Sequence, residues 1–298
     1  MLISKSITRV SLKITQENNI NMTGTGTLDK PDHISCFTDS GKSLTTSDGA
    51  EIKIWELVPP TEEIKKAWAK SFRQNYCPDH EIDLFREGTG LSRKDYLEQL
   101  IFPDKSSAPG PSIRSGDFAE LLITDYVEFV QNYWVPRTKY AEKASRNESV
   151  KGVDIVGFKC ANIATPRPTD ILLTFEVKAQ STGDTYDNRL QTAINDSSKD
   201  IVRIAQTLNA AKQRLIRSDN QEKAKLVERF QNSTDRPYTY KSGAAAVLTD
   251  DVFDGESIQE NTTVSEHKNA TNLELIIFKG TELMTLVNSI YESAANEA

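Results

Sequence analysis

Polar and apolar residues alternate in Ile7-Thr8-Arg9-Val10-Ser11-Leu12-Lys13-Ile14 and again in Glu51-Ile52-Lys53-Ile54-Trp55-Glu56-Leu57-Val58, the period of two that sends successive side chains to opposite faces of a sheet. The GTGT run at 24–27 is turn-like, so the first 55 or so residues read as strands and turns. Pro59-Pro60 stops the second strand, and Thr61-Glu62-Glu63 opens a helix expected to reach about Tyr76. A second helix is expected from Ser92 to Phe102. The stretch PDKSSAPGPSIRSG, residues 103–116, has the composition of a linker. A helix then starts near Gly116 and runs to about Asn132, with Phe118, Leu121, Leu122, Tyr126, Phe129 and Val130 on one stripe. Strands follow at 153–158 and 170–178, joined through TPRPTD, then a long helix from Leu190 to Ile216. Strands Gly243 to Leu248 and Leu273 to Phe278 and a helix from Thr281 to Ala294 close the chain. The order predicts an α/β fold, a mixed sheet flanked by helices. It divides into an N-terminal α+β region (1–102), a linker (103–116) and a second domain (117–298).

Composition narrows the class. With 298 residues, 37% of them hydrophobic, the chain has material for a substantial core. No stretch approaches the roughly 18 consecutive apolar residues of a membrane helix, and the opening MLISKSITRVSLKITQ does not resemble a signal peptide. A cytoplasmic protein without a membrane anchor is expected. Cys36, Cys77 and Cys160 are far apart and odd in number, against a disulfide framework. His33, His80 and His267 are equally scattered. Any catalytic metal must therefore be held by carboxylates, which favours Mg²⁺ or Mn²⁺ over zinc.

The net charge of −7 is unevenly spread: from Val247 to Ala298 ten acidic residues face two lysines, a balance of −8, so the remainder carries +1. Gln131 to Lys151 holds Arg137, Lys139, Lys143, Arg146 and Lys151 against Glu142 and Glu148. Such mildly basic segments suit a phosphate track or a solvated face about equally.

The candidate chemistry is concentrated in Glu176-Val177-Lys178. On a strand the two charged side chains share a face, so a carboxylate able to grip a metal lies beside an ammonium able to position water or phosphate. Glu-x-Lys occurs four times, at Glu51, Glu63, Glu176 and Glu266, and context separates the matches. Glu63 falls on a predicted helix, where i and i+2 do not face each other; Glu266 falls in a polar loop; no helix bearing a carboxylate precedes Glu51. Only Glu176 has an acidic residue on an upstream strand, Asp154, and before it a helix with a further carboxylate, Glu120.

The order of helix with Glu120, Val153-Asp154 strand, Phe175-Glu176-Val177-Lys178-Ala179 strand and helix resembles the PD-(D/E)XK nuclease superfamily over roughly residues 112–220. Val153 stands where that pattern usually has proline. More closely, GPSIRSGDFAELLITDYVE, RNESVKGVDIVGFK, FEVKAQ and DSSKDIVR are similar to the nuclease subunit of Hachiman antiphage defence systems. The resemblance implies a restriction-endonuclease-like core and a Mg²⁺- or Mn²⁺-dependent deoxyribonuclease. Asp154, Glu176 and Lys178 would be catalytic, Glu120, Asp154 and Glu176 would hold metal, and the partners would be DNA and a superfamily 2 helicase. Lys199 and Arg203, one turn apart on the following helix, are candidate phosphate contacts. Two other readings stay open: a non-catalytic subunit that keeps the nuclease fold to bind DNA or a helicase, and a sequence-specific restriction endonuclease.

Overall fold

The computed structural model describes residues 29–141 and 143–298. The alternation at 7–14 and the turn at 24–27 lie outside the described residues. A six-stranded sheet organises the rest. Its strands are β1 (Phe37–Thr45), β2 (Glu51–Leu57), β3 (Ile155–Lys159), β4 (Ile171–Gln180), β5 (Thr239–Thr249) and β6 (Leu273–Gly280), in the order β1-β2-β6-β5-β4-β3. The four central strands β2, β6, β5 and β4 are parallel, and the edge strands β1 and β3 are antiparallel to their neighbours. The expected mixed α/β sheet is present. The first two strands belong to it, because Ile52, Ile54 and Glu56 of β2 sit in register with Leu275, Ile277 and Lys279 of β6. Residues 37–57 therefore share one sheet and core with the strands of the 117–298 segment.

Helices cover both faces, as a sheet buried on two sides requires. On one face lie α1 (Glu62–Gln74), α2 (Ile82–Arg86), α3 (Arg93–Tyr96, continued by a π turn to Ile101), α4 (Gly110–Asp125, continued by a π turn to Val130) and α8 (Leu283–Asn296). Trp68, Phe72, Phe118, Leu122 and Tyr291 from this layer pack with Phe175 and Val177 of β4 and Phe278 of β6. The other face carries α5 (Arg189–Arg217), α6 (Gln221–Arg229) and α7 (Gly255–Glu260). There Leu190 and Ile194 meet Ala244 and Ala246, while Leu208 and Leu215 meet Leu172 and Phe158. Thr61 caps α1 and Ser92 caps α3 through side-chain oxygens, as the polar residues before those helices suggest.

Part of the linker-like segment is helical. Helix α4 begins at Gly110, with a proline in its first turn, where the missing N–H costs no helical hydrogen bond. The start of β4 is pinned from the α6 side. Arg229, fully buried, donates to Asp170 Oδ2 at 2.7 and 3.1 Å and to the carbonyls of Arg167, Arg236 and Pro237.

Candidate active site

Alternation along β4 decides which way its charged residues point. Phe175 and Val177 enter the α4-side core, so Glu176 and Lys178 face α5. Glu176 is only 3% exposed and lies in a polar layer between sheet and helix, with Thr174, Ser197, Asp200 and Ser242 all fully buried. Asp154 sits directly ahead of β3, across from Glu176 in the β3–β4 register. Its Oδ2 accepts the backbone N–H of Val177 at 3.0 Å, which fixes the carboxylate at the strand edge. Glu120 arrives from the other layer, on α4. The structure thus brings Glu120, Asp154, Glu176 and Lys178 together from three elements separated in sequence.

Four residues that sequence reasoning did not place in the site complete it. Lys139 inserts its ammonium between Glu120 Oε2, at 2.5 Å, and Asp154 Oδ1, at 3.1 Å. Tyr140 donates its hydroxyl to the same Glu120 oxygen at 2.5 Å. From α5, Asp196 binds Lys178 Nζ at 3.0 Å, nearer than the 3.4 Å from Lys178 to Glu176 Oε2. Asp200, one turn further along α5, faces Glu176. Both Asp200 oxygens and Glu176 Oε1 are buried without a hydrogen-bond partner. The nearest cation to Asp200 is Arg203, at 3.7 Å, beyond hydrogen-bond reach.

These neighbours set the charges. Burial, followed by Asp154 and Asp200, pushes Glu176 up to about 9. Burial and then Asp154 push Asp200 up to about 7, with the neighbouring Glu176 partly offsetting the rise. Glu120 is also raised to about 7, by burial and Asp154. Asp154 is buried too, yet Lys139, the Val177 N–H and Lys178 hold it below the usual carboxylate range. Burial depresses Lys139 and Lys178, but their carboxylate neighbours outweigh it and raise both. The group is thus a carboxyl array in which Glu120 and Asp154 share an internal lysine, while Glu176 and Asp200 face each other with Lys178 reaching only one Glu176 oxygen, at 3.4 Å.

A family model for HamA matches residues 31–294. The chain belongs to the HamA family. That is the membership expected from the Hachiman resemblance, and it connects the chain with antiphage defence. No curated protein matches it.

The rest of this HamA-family chain departs in places from what its sequence suggests. Four of the five basic residues of 131–151 are neither a phosphate track nor a solvated face, while Lys151 is exposed. Arg137 binds Asp125 and Glu128 at 2.5 and 2.6 Å, Lys143 binds Asp117, and Arg146 binds Asp104 at 2.8 Å, so with Lys139 they neutralise carboxylates of α4 and its surroundings. Arg114 is buried, donating to the Pro103 carbonyl and stacking on Tyr291. Lys199 and Arg203 do stand on the outside of α5 next to the site, at 57% and 42% exposure, each with an aspartate on its own helix. Glu51 is exposed at the start of β2, Glu63 lies on α1 and Glu266 in the loop after α7. None of those three Glu-x-Lys matches joins the carboxylate array.

The donors suit a hard divalent cation. All are carboxylate oxygens, three of which are buried and unpartnered. Among the described residues no three carboxylate, imidazole or thiol groups converge on one point. Mg²⁺ does not require that, since it typically takes one or two carboxylates and completes its shell with water and substrate phosphate. Among the described residues no helix is long and apolar enough to cross a membrane.

Proposed function

We propose that this HamA-family protein is a metal-dependent deoxyribonuclease, with Asp154, Glu176 and Lys178 as its catalytic group and Mg²⁺ or Mn²⁺ as cofactor. The observation that carries the reading is the junction of Asp154, Glu176 and Lys178 at the β3–β4 edge, where a buried carboxylate pair lies beside an ammonium. A bound divalent ion would lower the pKa of water and offset charge developing on the phosphate. Asp154, held by the Val177 N–H and kept ionised by Lys139, supplies a fixed oxygen ligand. Glu176 supplies a second from the adjoining strand. Lys178, tethered by Asp196, is positioned to orient water or a phosphate oxygen. Lys199 and Arg203 on the outer side of α5 would meet the DNA backbone.

The same reading includes a helicase partner that grips DNA. A chain of net charge −7 has little attraction of its own for a polyanion, and tethering to a DNA-bound partner raises the effective substrate concentration. Leu84, Phe85 and Leu100, on adjoining elements of the α2–α3 region, are 68%, 50% and 49% exposed. On this reading the region before residue 103, which carries these exposed side chains, supplies the docking surface for the helicase. Because β2 is hydrogen-bonded into the sheet beside β6, removing residues 1–102 would open the core. Point substitution of Leu84 and Phe85 by Asp is therefore the sharper probe. The test is phage protection and copurification with the helicase. Glu176→Ala should lose protection while keeping the partner, and Leu84→Asp/Phe85→Asp should lose the partner. Full protection by a folded Glu176→Ala protein would overturn the nuclease reading.

A further inference from the structure

The structure points to Asp200 as a metal ligand. We propose that the divalent ion is gripped between Glu176 on β4 and Asp200 on α5, with Asp154 alongside, and that Glu120 contributes no ligand. This deepens the nuclease reading and rests on it.

The argument is one of unmet valence. A buried carboxylate oxygen without a donor carries a desolvation cost that folding does not recover. Such atoms therefore require an explanation, and an ion is one of the few available. Glu176 Oε1, Asp200 Oδ1 and Asp200 Oδ2 are of this kind, and they come from two elements that face each other. Asp200 is fully buried and Glu176 is 3% exposed. The contrast with Glu120 is direct. Its Oε2 already accepts from Lys139 and Tyr140, both at 2.5 Å. A metal there would meet an ammonium already occupying the position between Glu120 and Asp154. The vacant valence is on the α5 side, and α5 therefore acts as a wall of the cation site as well as a cover for the sheet. Lys199 and Arg203 flank Asp200 on the same helix, so DNA phosphate drawn to them would arrive beside the ion.

The experiment uses the purified full chain, titrated with Mn²⁺ and followed by electron paramagnetic resonance of the free ion, with thermal unfolding in chelator alongside. Asp200→Asn is expected to weaken Mn²⁺ binding at least ten-fold. It should also unfold at the same or a higher temperature than wild type without metal, because asparagine keeps the shape of aspartate while removing one of two buried carboxyl groups that face each other. Glu120→Gln should bind Mn²⁺ within about three-fold of wild type, taking a ten-fold loss as the mark of a ligand or its support. The proposal is overturned if wild type does not bind Mn²⁺, if Asp200→Asn binds it as wild type does, if Glu120→Gln loses it, or if Asp200→Asn is destabilised or unfolded in chelator, since that would make Asp200 a structural residue. Asp200-dependent Mn²⁺ binding without any DNA cleavage would sink the nuclease reading and leave the ligand assignment standing. Cleavage that survives in an Asp200→Asn protein with unchanged Mn²⁺ affinity would do the reverse.

Discussion

Replacing Lys139 by Met removes the one cation that lies between Glu120 and Asp154 while keeping the length and bulk of the stem. The lysine side chain is 15% exposed and its two carboxylate partners 15% and 13%, so solvent screens the pair weakly. Two charge-assisted hydrogen bonds are lost, at 2.5 and 3.1 Å, and two buried carboxylates are left facing each other. Removing one partner of a buried ion pair typically costs about 3–5 kcal/mol. For a domain of this size each kcal/mol lowers Tm by roughly 2–4 °C, which makes the expected drop on the order of 6–20 °C. The cost should depend on pH. Glu120 has a raised folded pKa of about 7 against an ordinary value of 4.5, so the native state holds its proton more tightly than the unfolded state. Its contribution to stability is fully present below the ordinary value and is lost as pH rises through the folded one. Without Lys139 the folded value climbs further, and the variant loses more at pH 8 than at pH 5.5, where a proton can replace the lysine. Urea denaturation at the two pH values, in chelator, measures both effects. A loss under about 1 kcal/mol at pH 8, or one that is the same at pH 5.5, would refute the assignment of Lys139 as an internal counter-ion.

Metal binding should expel protons, because Glu176 and Asp200 sit at about 9 and about 7 in the metal-free protein and must be ionised to act as ligands. Affinity for Mn²⁺ should accordingly rise from pH 6 to pH 9, and calorimetry in buffers of different ionisation enthalpy should find net proton release at pH 7; proton-neutral, pH-independent binding would contradict this. Gly243→Ala should destabilise the fold by about 1–3 kcal/mol, the usual cost of overpacking. An added Cβ would come within 2.3–2.4 Å of the Phe175 ring, next to Glu176 on β4, and denaturant unfolding indistinguishable from wild type would show that the ring shifts freely.

The strands that carry Asp154 and Glu176 were legible because an acidic residue inside an otherwise apolar, sheet-forming run stands out. Asp200 and Lys139 were not. Asp196 and Asp200 stand four apart on a polar helix among Lys199 and Arg203, the pattern of a solvated helix face with paired charges, and nothing local reveals that one of them is turned to the sheet. Lys139 reads in sequence as one of a cluster of basic residues, while its partners lie 19 positions before it and 15 after it. Strand β1 escaped individual recognition because it is an edge strand in which only Phe37 is buried. The placement of β2 beside β6 is a parallel pairing across more than 200 residues, which periodicity cannot encode. The 103–116 segment misled through composition: its proline and glycine open helix α4, although the same residue types also make linkers.

The most direct measurement is cleavage of linear and supercoiled DNA by the purified protein with its helicase partner, with wild type and Lys178→Ala compared in Mg²⁺ and in excess chelator. The account predicts products only from the wild-type complex and only with Mg²⁺, with both proteins equally folded and equally bound to the partner. Cleavage that persists in chelator, or a folded Lys178→Ala complex that cuts as fast as wild type, would contradict it.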